Sequence, residues 1–174
     1  MLESDVPVLG FAAYSGTGKT TLLTTLIPLL KAEGLDIGVI KHAHHGVELD
    51  RPGKDSYELR KAGAGQVLLA TAQRWALMVE EDAGSEPMLG HMLHRLDNSR
   101  LDLILVEGFR HESYPKLELH RPVLGQPLLF PQDDSIIAIA TDDDLGMTTS
   151  LPLLDINDSG MIRDFILHWL AESQ

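Results

Sequence analysis

The fold is decided by one stretch near the N-terminus, Ala13-Tyr14-Ser15-Gly16-Thr17-Gly18-Lys19-Thr20. A short apolar run, Val8–Ala13, precedes it and is typical of a buried strand. Thr20–Glu33 follows it with apolar residues at helical spacing. A strand, a glycine-rich turn and a helix in this order are the context that the P-loop pattern requires. The stretch therefore predicts a loop that binds the phosphates of a nucleotide.

The residue types in this loop each have a physical reason. Gly16 and Gly18 allow a tight turn that brings backbone N–H groups around a polyphosphate, where side chains would obstruct it. The helix that begins near Gly18 adds unpaired N–H groups and its positive dipole end. Lys19 can reach the outer phosphates, and Thr20 offers a hydroxyl to a phosphate-bound Mg²⁺. The predicted nucleotide contacts are Ser15, Gly16, Thr17, Gly18, Lys19, Thr20 and Thr21.

Ala13 departs from the usual pattern, which begins with glycine at this position. Alanine is tolerated there if the residue keeps the φ of a strand. Charge-assisted hydrogen bonds contribute about 1.5–3 kcal/mol each, so a few of them explain tight nucleotide binding. The alternative is an ordinary turn between a strand and a helix, followed by Lys-Thr by chance.

The apolar strand Leu101–Glu107 carries an acid near each end. Ligands of open α/β sheets bind beyond the carboxyl ends of the strands. Glu107 lies at that end, and Asp102 lies at the opposite end. We therefore predict that Glu107 holds Mg²⁺, directly or through water, together with Thr20. Lys19 and Glu107 are the catalytic candidates; the alternative for Glu107 is an ordinary surface acid.

Strands and helices alternate along the rest of the chain. This order predicts an α/β fold of the P-loop NTPase type, in three layers, with a mainly parallel sheet flanked by helices. Residues 67–80 add a β-hairpin, and Pro28 predicts a bend in the first helix. We expect one nucleotide-binding domain over residues 1–174. The other predicted strands are Ile37–His42, Lys116–His120, Ser135–Thr141 and Leu153–Ile156, and the other predicted helices are 55–62, Glu86–Leu96 and one capped by Asn157 or Asp158.

Composition excludes several classes of function. The chain has 174 residues, 14 Lys plus Arg against 26 Asp plus Glu, and a formal net charge of −12, which disfavours nucleic acid as a partner. It has 0 Cys, so thiol catalysis, disulfides and cysteine-ligated metals are excluded. No apolar run approaches the ~20 residues of a membrane span. We therefore expect a cytoplasmic protein with no membrane partner.

Several stretches in one order resemble a known family. They are Ala13–Thr21, Ile40–His45, Pro52–Ala64, Gln73–Met78 and Leu101–Phe109. Together they are similar to the molybdopterin-guanine dinucleotide biosynthesis protein B (MobB) family. The resemblance implies a GTP-binding, homodimeric adapter with weak, Mg²⁺-dependent GTPase activity. It also implies a MobA-like molybdopterin guanylyltransferase as partner, with molybdopterin as a further candidate.

Recognition of the base rests on that resemblance. Guanine presents N1–H and N2–H donors, which one carboxylate can accept together. Asp142 follows the predicted strand Ser135–Thr141 and is our candidate, with Asp155 and Asn157 as rivals. The usual Asn-Lys-x-Asp guanine signature is absent. The alternative for residues 142–144 is a solvated acidic turn.

Two further clusters leave alternatives open. His42, His44 and His45 could bind a transition metal, form a switch-type loop near the γ-phosphate, contact a pterin phosphate, or be solvated. Arg110 is well placed for a phosphate or a partner, and Trp75 is typical of a packed or dimer-interface residue. A locally basic region suggests an anionic ligand or an acidic partner; its members are Lys54, Arg60, Lys61 and Arg74, with Asp55 among them.

Two enzyme-like functions compete with the adapter. A small-molecule kinase would need a second substrate pocket, and it would transfer phosphate rapidly to an acceptor. The chain shows no Arg-rich segment of the kind that closes over such sites to exclude water. A metal-delivery GTPase would use the histidine loop. Slow hydrolysis is the expectation for the adapter, because no catalytic base and no arginine finger can be named, and such a finger adds about 10³–10⁵ in rate.

Overall fold

The computed structural model describes residues 4–43, 50–81, 84 and 86–173, so His44 and His45 lie outside the described residues. Two compact units are present, one of Met1–His42 with Met88–Gln174 and one of Ala43–Pro87. The prediction of one nucleotide-binding domain over residues 1–174 stays a prediction.

The larger unit is built on a six-stranded sheet. Its order is β2-β5-β1-β6-β7-β8, and every neighbouring pair is parallel. This confirms the predicted P-loop NTPase-type α/β fold with a mainly parallel sheet. The strands are β1 Val8–Ala12, β2 Ile37–Lys41, β5 Leu103–Glu107, β6 Lys116–His120, β7 Ile136–Thr141 and β8 Leu153–Asp155.

One face of this sheet packs against two long helices, α1 Lys19–Ala32 and α4 Ser159–Glu172. Leucines of α1 and isoleucines of α4 meet the strand residues Leu9, Phe11 and Leu117 in one buried cluster. Full burial of such a side chain stabilises the fold by about 1.5–3 kcal/mol. Helix α1 runs through Pro28, as predicted from the apolar spacing.

The first turn of α4 confirms one predicted cap. Asp158 is the N-cap, and its carboxylate accepts a hydrogen bond from the backbone N–H of Met161 at 2.9 Å. The bond satisfies one of the N–H groups that a helix leaves unpaired at its start. Asn157, the other candidate cap, lies one residue before that N-cap.

The opposite face packs against a short helix, α3 Leu89–Leu93, and here the prediction of a helix over Glu86–Leu96 was wrong in extent. Pro87 disfavours the helical conformation at the residue before it, and Met88 is extended at φ −92° and ψ 133°. After Leu93 the hydrogen bonds become i to i+3 turns, as in Leu96 N–H to Leu93 O at 3.3 Å. The helix therefore keeps little more than one turn.

The smaller unit contains α2 Asp55–Lys61 and the antiparallel hairpin β3 Gln66–Ala70 and β4 Trp75–Val79, which confirms the predicted hairpin. Asp55 is the first residue of α2, not its cap, because Lys54 holds the extended N-cap position. Two residues of the predicted basic region make contacts within this unit. Arg60 pairs with Glu80 at 2.7 Å, and Arg60 and Lys61 each lie 5.5 Å from the ring centre of Tyr57.

No helix within the described ranges has both the length and the apolar character to cross a membrane.

Candidate nucleotide-binding site

The predicted phosphate loop connects β1 to α1, so strand, turn and helix occur in the expected order. Gly16 has φ +82°, and Gly18, the N-cap of α1, has φ +101°. These are values that side chains other than glycine rarely adopt, so the two glycines are required by the backbone itself. Positive φ values at such positions are typical of loops whose successive N–H groups can surround an anion.

The departure at Ala13 is accommodated as expected. Among the described residues the one non-glycine with positive φ is Phe109, so Ala13 keeps a negative φ and needs no glycine. Thr17 is buried, 2% exposed, and its hydroxyl donates to the carbonyl oxygen of Tyr14 at 2.9 Å. This bond closes the turn from inside and fixes its curvature.

Lys19 is folded over the loop. Its Nζ donates to the carbonyl oxygens of Ala13 at 3.0 Å and Tyr14 at 3.1 Å. Burial lowers the pKa of Lys19, although the nearby Glu107 carboxylate acts in the opposite direction. The ammonium group is therefore held at the mouth of the loop, where a phosphate would compete with two carbonyl oxygens for it.

Three cations and one acid converge at this end of the sheet. Lys41 and Arg110 both add to the lowering of the pKa of Lys19, so their charges reach it. Glu107, whose side chain is 15% exposed, forms an ion pair with Lys41, with Nζ and Oε2 3.2 Å apart. In a chain of net charge −12, this concentration of positive charge is a local exception. It favours an anionic ligand.

Glu107 lies where the strand argument put it. It ends β5 and pairs in register with Phe11 of β1, just before the loop. Asp102 lies before the other end of β5, where its carboxylate accepts the backbone N–H of Asp36 at 2.8 Å. The predicted position of each acid is confirmed; the metal-binding and catalytic roles of Glu107 stay predictions.

The chain makes an unusual turn after Glu107. Gly108 has φ +99° and Phe109 φ +51°. A Cβ on Gly108 would lie 2.6 Å from the Cβ of His42, so the glycine allows the two segments to approach. The His42 ring stacks on Phe109 with centroids 4.7 Å apart. No group of three metal-ligating side chains occurs among the described residues, and the histidine-loop prediction extends to His44 and His45, which lie outside them.

The sequence analysis did not predict a role for Arg121. This residue joins the phosphate loop to Asp142, the residue predicted to contact the base. Its Nε donates to the backbone carbonyl of Thr17 at 3.1 Å, one Nη donates to the Asp142 carboxylate, and the other donates to Asn157 Oδ1 at 3.0 Å. Two rival base readers, Asp142 and Asn157, therefore lie around one guanidinium. The signal was available, because Arg121 directly follows the carboxyl end of a buried strand.

The family model for molybdopterin guanine dinucleotide synthesis protein B, MobB, matches residues 8–142. This chain belongs to the MobB family. The matched range begins at β1 and includes the phosphate loop, Glu107, Arg121 and Asp142. The resemblance to the MobB family is thus confirmed.

Two MobB relatives match nearly the whole chain. The molybdopterin-guanine dinucleotide biosynthesis adapter protein of Escherichia coli is 51% identical over 171 residues, 98% of this chain and 97% of the relative. The protein of the same name from Haemophilus influenzae is 43% identical over 97% of this chain and 92% of its own length. This MobB chain is therefore an adapter protein of molybdopterin-guanine dinucleotide biosynthesis.

A solved MobB structure supports the fold. The crystal structure of a molybdopterin-guanine biosynthesis protein B aligns with a TM-score of 0.74 at 23% identity, over 94% of this chain and 99% of that chain. At this identity the likeness concerns the fold alone. It agrees with the parallel sheet and flanking helices described above.

Proposed function

We propose that this MobB chain binds GTP with Mg²⁺ at the phosphate loop and hydrolyses it slowly. The observation that carries the proposal is the convergence of a glycine-shaped loop, the start of a 14-residue helix and three cations at one edge of the sheet. Backbone N–H groups, the helix dipole and ammonium groups all favour a polyphosphate at the same point. Of the three cations, Lys19 belongs to the loop itself.

The donor set also fits a magnesium ion. A hydroxyl and a carboxylate are oxygen ligands of the kind that Mg²⁺ prefers, usually alongside waters and substrate phosphates. Thr20 at the start of α1 and Glu107 at the end of β5 would supply them. When bound, the ion neutralises charge on the outer phosphates. Hydrolysis is slow in this proposal, because no residue of the site takes the role of catalytic base.

Guanine recognition is assigned to Asp142. One carboxylate accepts two adjacent N–H donors of the base only if it is held in a defined orientation. The Arg121 guanidinium supports that orientation, because it is itself fixed by the Thr17 carbonyl and by Asn157. Residues 15–21 on the phosphates and Asp142 on the base then make one nucleotide site.

The adapter acts as a homodimer with a MobA-like molybdopterin guanylyltransferase, in the cytoplasm. The hairpin β3–β4 supports self-association, because several of its large apolar side chains are exposed. A second copy of the chain is its proposed occupant. The exposed fractions are 60% for Leu68, 45% for Leu69, 66% for Trp75 and 44% for Leu77.

Calorimetric titration with GTP, GDP and ATP, with and without Mg²⁺, tests the proposal. Wild type is expected to bind GTP in preference to ATP and more tightly with Mg²⁺. Replacing Lys19 by alanine removes at least one charge-assisted hydrogen bond and should weaken GTP binding by about 10- to 100-fold. Adding the purified guanylyltransferase then tests whether GTP-loaded adapter binds it.

Lys31→Ala is the matched control. Lys31 lies on the same helix near its other end, 58% exposed, where it pairs with Asp36 at 3.6 Å. Its replacement should leave GTP affinity unchanged. If folded Lys19→Ala binds GTP as tightly as wild type does, the proposed nucleotide site is rejected.

A further inference from the structure

The connection from β6 to β7 contains an exposed apolar segment, residues 122–130, here called the apolar loop. Every residue of this loop except Gly125 and Gln126 is apolar, and each apolar one is exposed or half-buried. Val123 is 85% exposed and Leu124 is 40% exposed. Within the described ranges, neither buried cluster of the larger unit includes a side chain of this loop. The core of the fold therefore does not explain its composition.

Charged side chains of β6 fix the end of the apolar loop that leads to β7. Glu118 is 1% exposed, and its carboxylate accepts the backbone N–H groups of Leu129 at 2.7 Å and Phe130 at 2.8 Å. Burial raises the pKa of Glu118, although these two hydrogen bonds act in the opposite direction. Lys116, also 1% exposed, donates to Asp133 at 2.8 Å just beyond the loop. A buried carboxylate and a buried ammonium group thus hold a segment whose own side chains face solvent.

The other end of the apolar loop is fixed at the proposed nucleotide site. Arg121 directly precedes the loop and donates to the backbone carbonyl of Thr17 at 3.1 Å. Pro122–Leu124 forms a 3₁₀ turn, in which the N–H of Leu124 donates to the carbonyl oxygen of Arg121 at 3.0 Å. Because both ends are held, Val123 is presented on a preformed turn, and a partner would have little conformational entropy to remove.

The surroundings of the apolar loop are acidic. Asp134 is exposed just after it, and the acidic run 142–144 begins at the residue that pairs with Arg121. From residue 111 to residue 162 the lysines and arginines are Lys116, which is buried, and Arg121. A second copy of the chain would place acids against acids, which disfavours it as the occupant. The complementary surface is an apolar pocket with basic residues at its rim.

We propose that the apolar loop is the surface on which the MobA-like guanylyltransferase docks, through an apolar pocket with a basic rim. The inference rests on the partnership proposed above and names the part of this chain that makes the contact. Val123 is the central apolar contact, and Asp134 and the run 142–144 meet the rim. Because Arg121 contacts Thr17 and begins the loop, the docked partner lies beside the nucleotide.

Calorimetric titration with the purified guanylyltransferase of the same organism tests this, with the full-length adapter saturated by Mg²⁺ and a non-hydrolysable GTP analogue. Val123→Ser and Leu124→Ser should each weaken binding by about tenfold or more, because truncation of a central apolar contact commonly has this effect. Leu153→Ser is the matched control and should bind as wild type does, since Leu153 is 53% exposed on β8, outside the loop. Melting temperatures check that the variants are folded.

The acidic surroundings are tested by salt and by charge reversal. Raising the ionic strength from about 0.05 M to about 0.5 M should weaken binding of the transferase, because salt screens attraction between exposed charges. Asp134→Lys should slow association and remove part of this salt dependence. An unchanged association rate in Asp134→Lys would overturn the assignment of a basic rim to the partner.

Three results would overturn the docking proposal. One is unchanged transferase affinity in both Val123→Ser and Leu124→Ser, and another is a wild-type adapter that binds no transferase. The third is conversion of these variants to monomers in sedimentation, since the loop would then be a contact between two copies. GTP titrations of the same proteins separate this proposal from the nucleotide site. Transferase binding that depends on Val123 in a chain that binds no GTP would retain the docking surface while the nucleotide site fails.

Discussion

Lys41 Nζ lies 3.2 Å from Glu107 Oε2, so the carboxylate best placed for a metal ion is already paired with an ammonium group. The two residues are register partners at the carboxyl ends of the neighbouring strands β2 and β5. A cation bound at Glu107 must therefore compete with Lys41. In the proposed Mg²⁺–GTP site, the strength of that competition would set the Mg²⁺ concentration needed for binding.

Replacing Lys41 by methionine should increase the apparent Mg²⁺ affinity of the GTP complex. Lys41 is 55% exposed, so the pair is screened by solvent and worth at most about 1 kcal/mol. The expected gain is thus no more than about fivefold, read from Mg²⁺ titrations at fixed GTP analogue. A loss of GTP affinity with unchanged Mg²⁺ dependence would show that Lys41 instead contacts phosphate.

The framework of this site could be predicted because local chemistry specifies it. Glycines at two fixed positions before Lys-Thr require one loop shape, and the apolar run of Leu103–Glu107 requires a buried strand whose last residue faces the ligand edge. Asp158 as a helix cap follows from the same kind of rule. In each case the neighbours along the chain determine the result.

The parts that were missed depend on residues distant in sequence. Arg121 directly follows a buried strand, which indicated the ligand edge of the sheet, but its contact with Thr17, 104 positions away, could not be derived from the local sequence. Lys116 and Glu118 alternate with leucines in β6, which predicts one polar face, but their burial follows from the segment 129–133 that covers them. Helix α3 is shorter than predicted, because Pro87 disfavours the helical conformation that the apolar spacing indicates before it.

Replacing Asp142 by asparagine should shift the base preference from guanine toward xanthine. Asparagine presents an amide that can donate where guanine needs an acceptor, and it suits xanthine, which has a carbonyl in place of the 2-amino group. We expect GTP affinity to fall by about tenfold or more and affinity for xanthosine triphosphate to rise. Asp143→Asn is the control. Parallel losses for both nucleotides would contradict a role in reading the base.

Arg121 is expected to position both the loop and Asp142. Arg121→Ala removes the bonds to Thr17, Asp142 and Asn157, and should lower GTP affinity and the GTP-over-ATP preference together. Arg121→Lys keeps the charge but cannot reach three partners at once, so it should recover only part of the preference. If Arg121 had a purely structural role, its replacement would lower the melting temperature and leave the nucleotide preference unchanged.

The exposed hairpin should mediate dimerisation. Leu68 and Leu77 face each other across β3 and β4, and both are exposed. Changing both to glutamate places four like charges in an interface between two copies and should yield a monomer in sedimentation experiments at micromolar concentration. Val123→Glu changes an exposed valine outside the hairpin and should leave the dimer intact. A double variant that sediments as wild type would exclude this surface.

His120 should make the fold sensitive to mild acid. The residue is 7% exposed, and burial lowers its pKa below the ordinary 6.5, although the nearby Asp142 charge acts in the opposite direction. The unfolded chain therefore binds a proton at His120 before the folded chain does, and stability is lost as pH falls from about 6.5 toward the folded pKa. His120→Asn should reduce the slope of unfolding free energy against pH in that window by up to about 1.4 kcal/mol per pH unit. Urea unfolding at successive pH values measures it, and the exposed His168→Asn is the control, so equal slopes in the two variants would remove His120 as the cause.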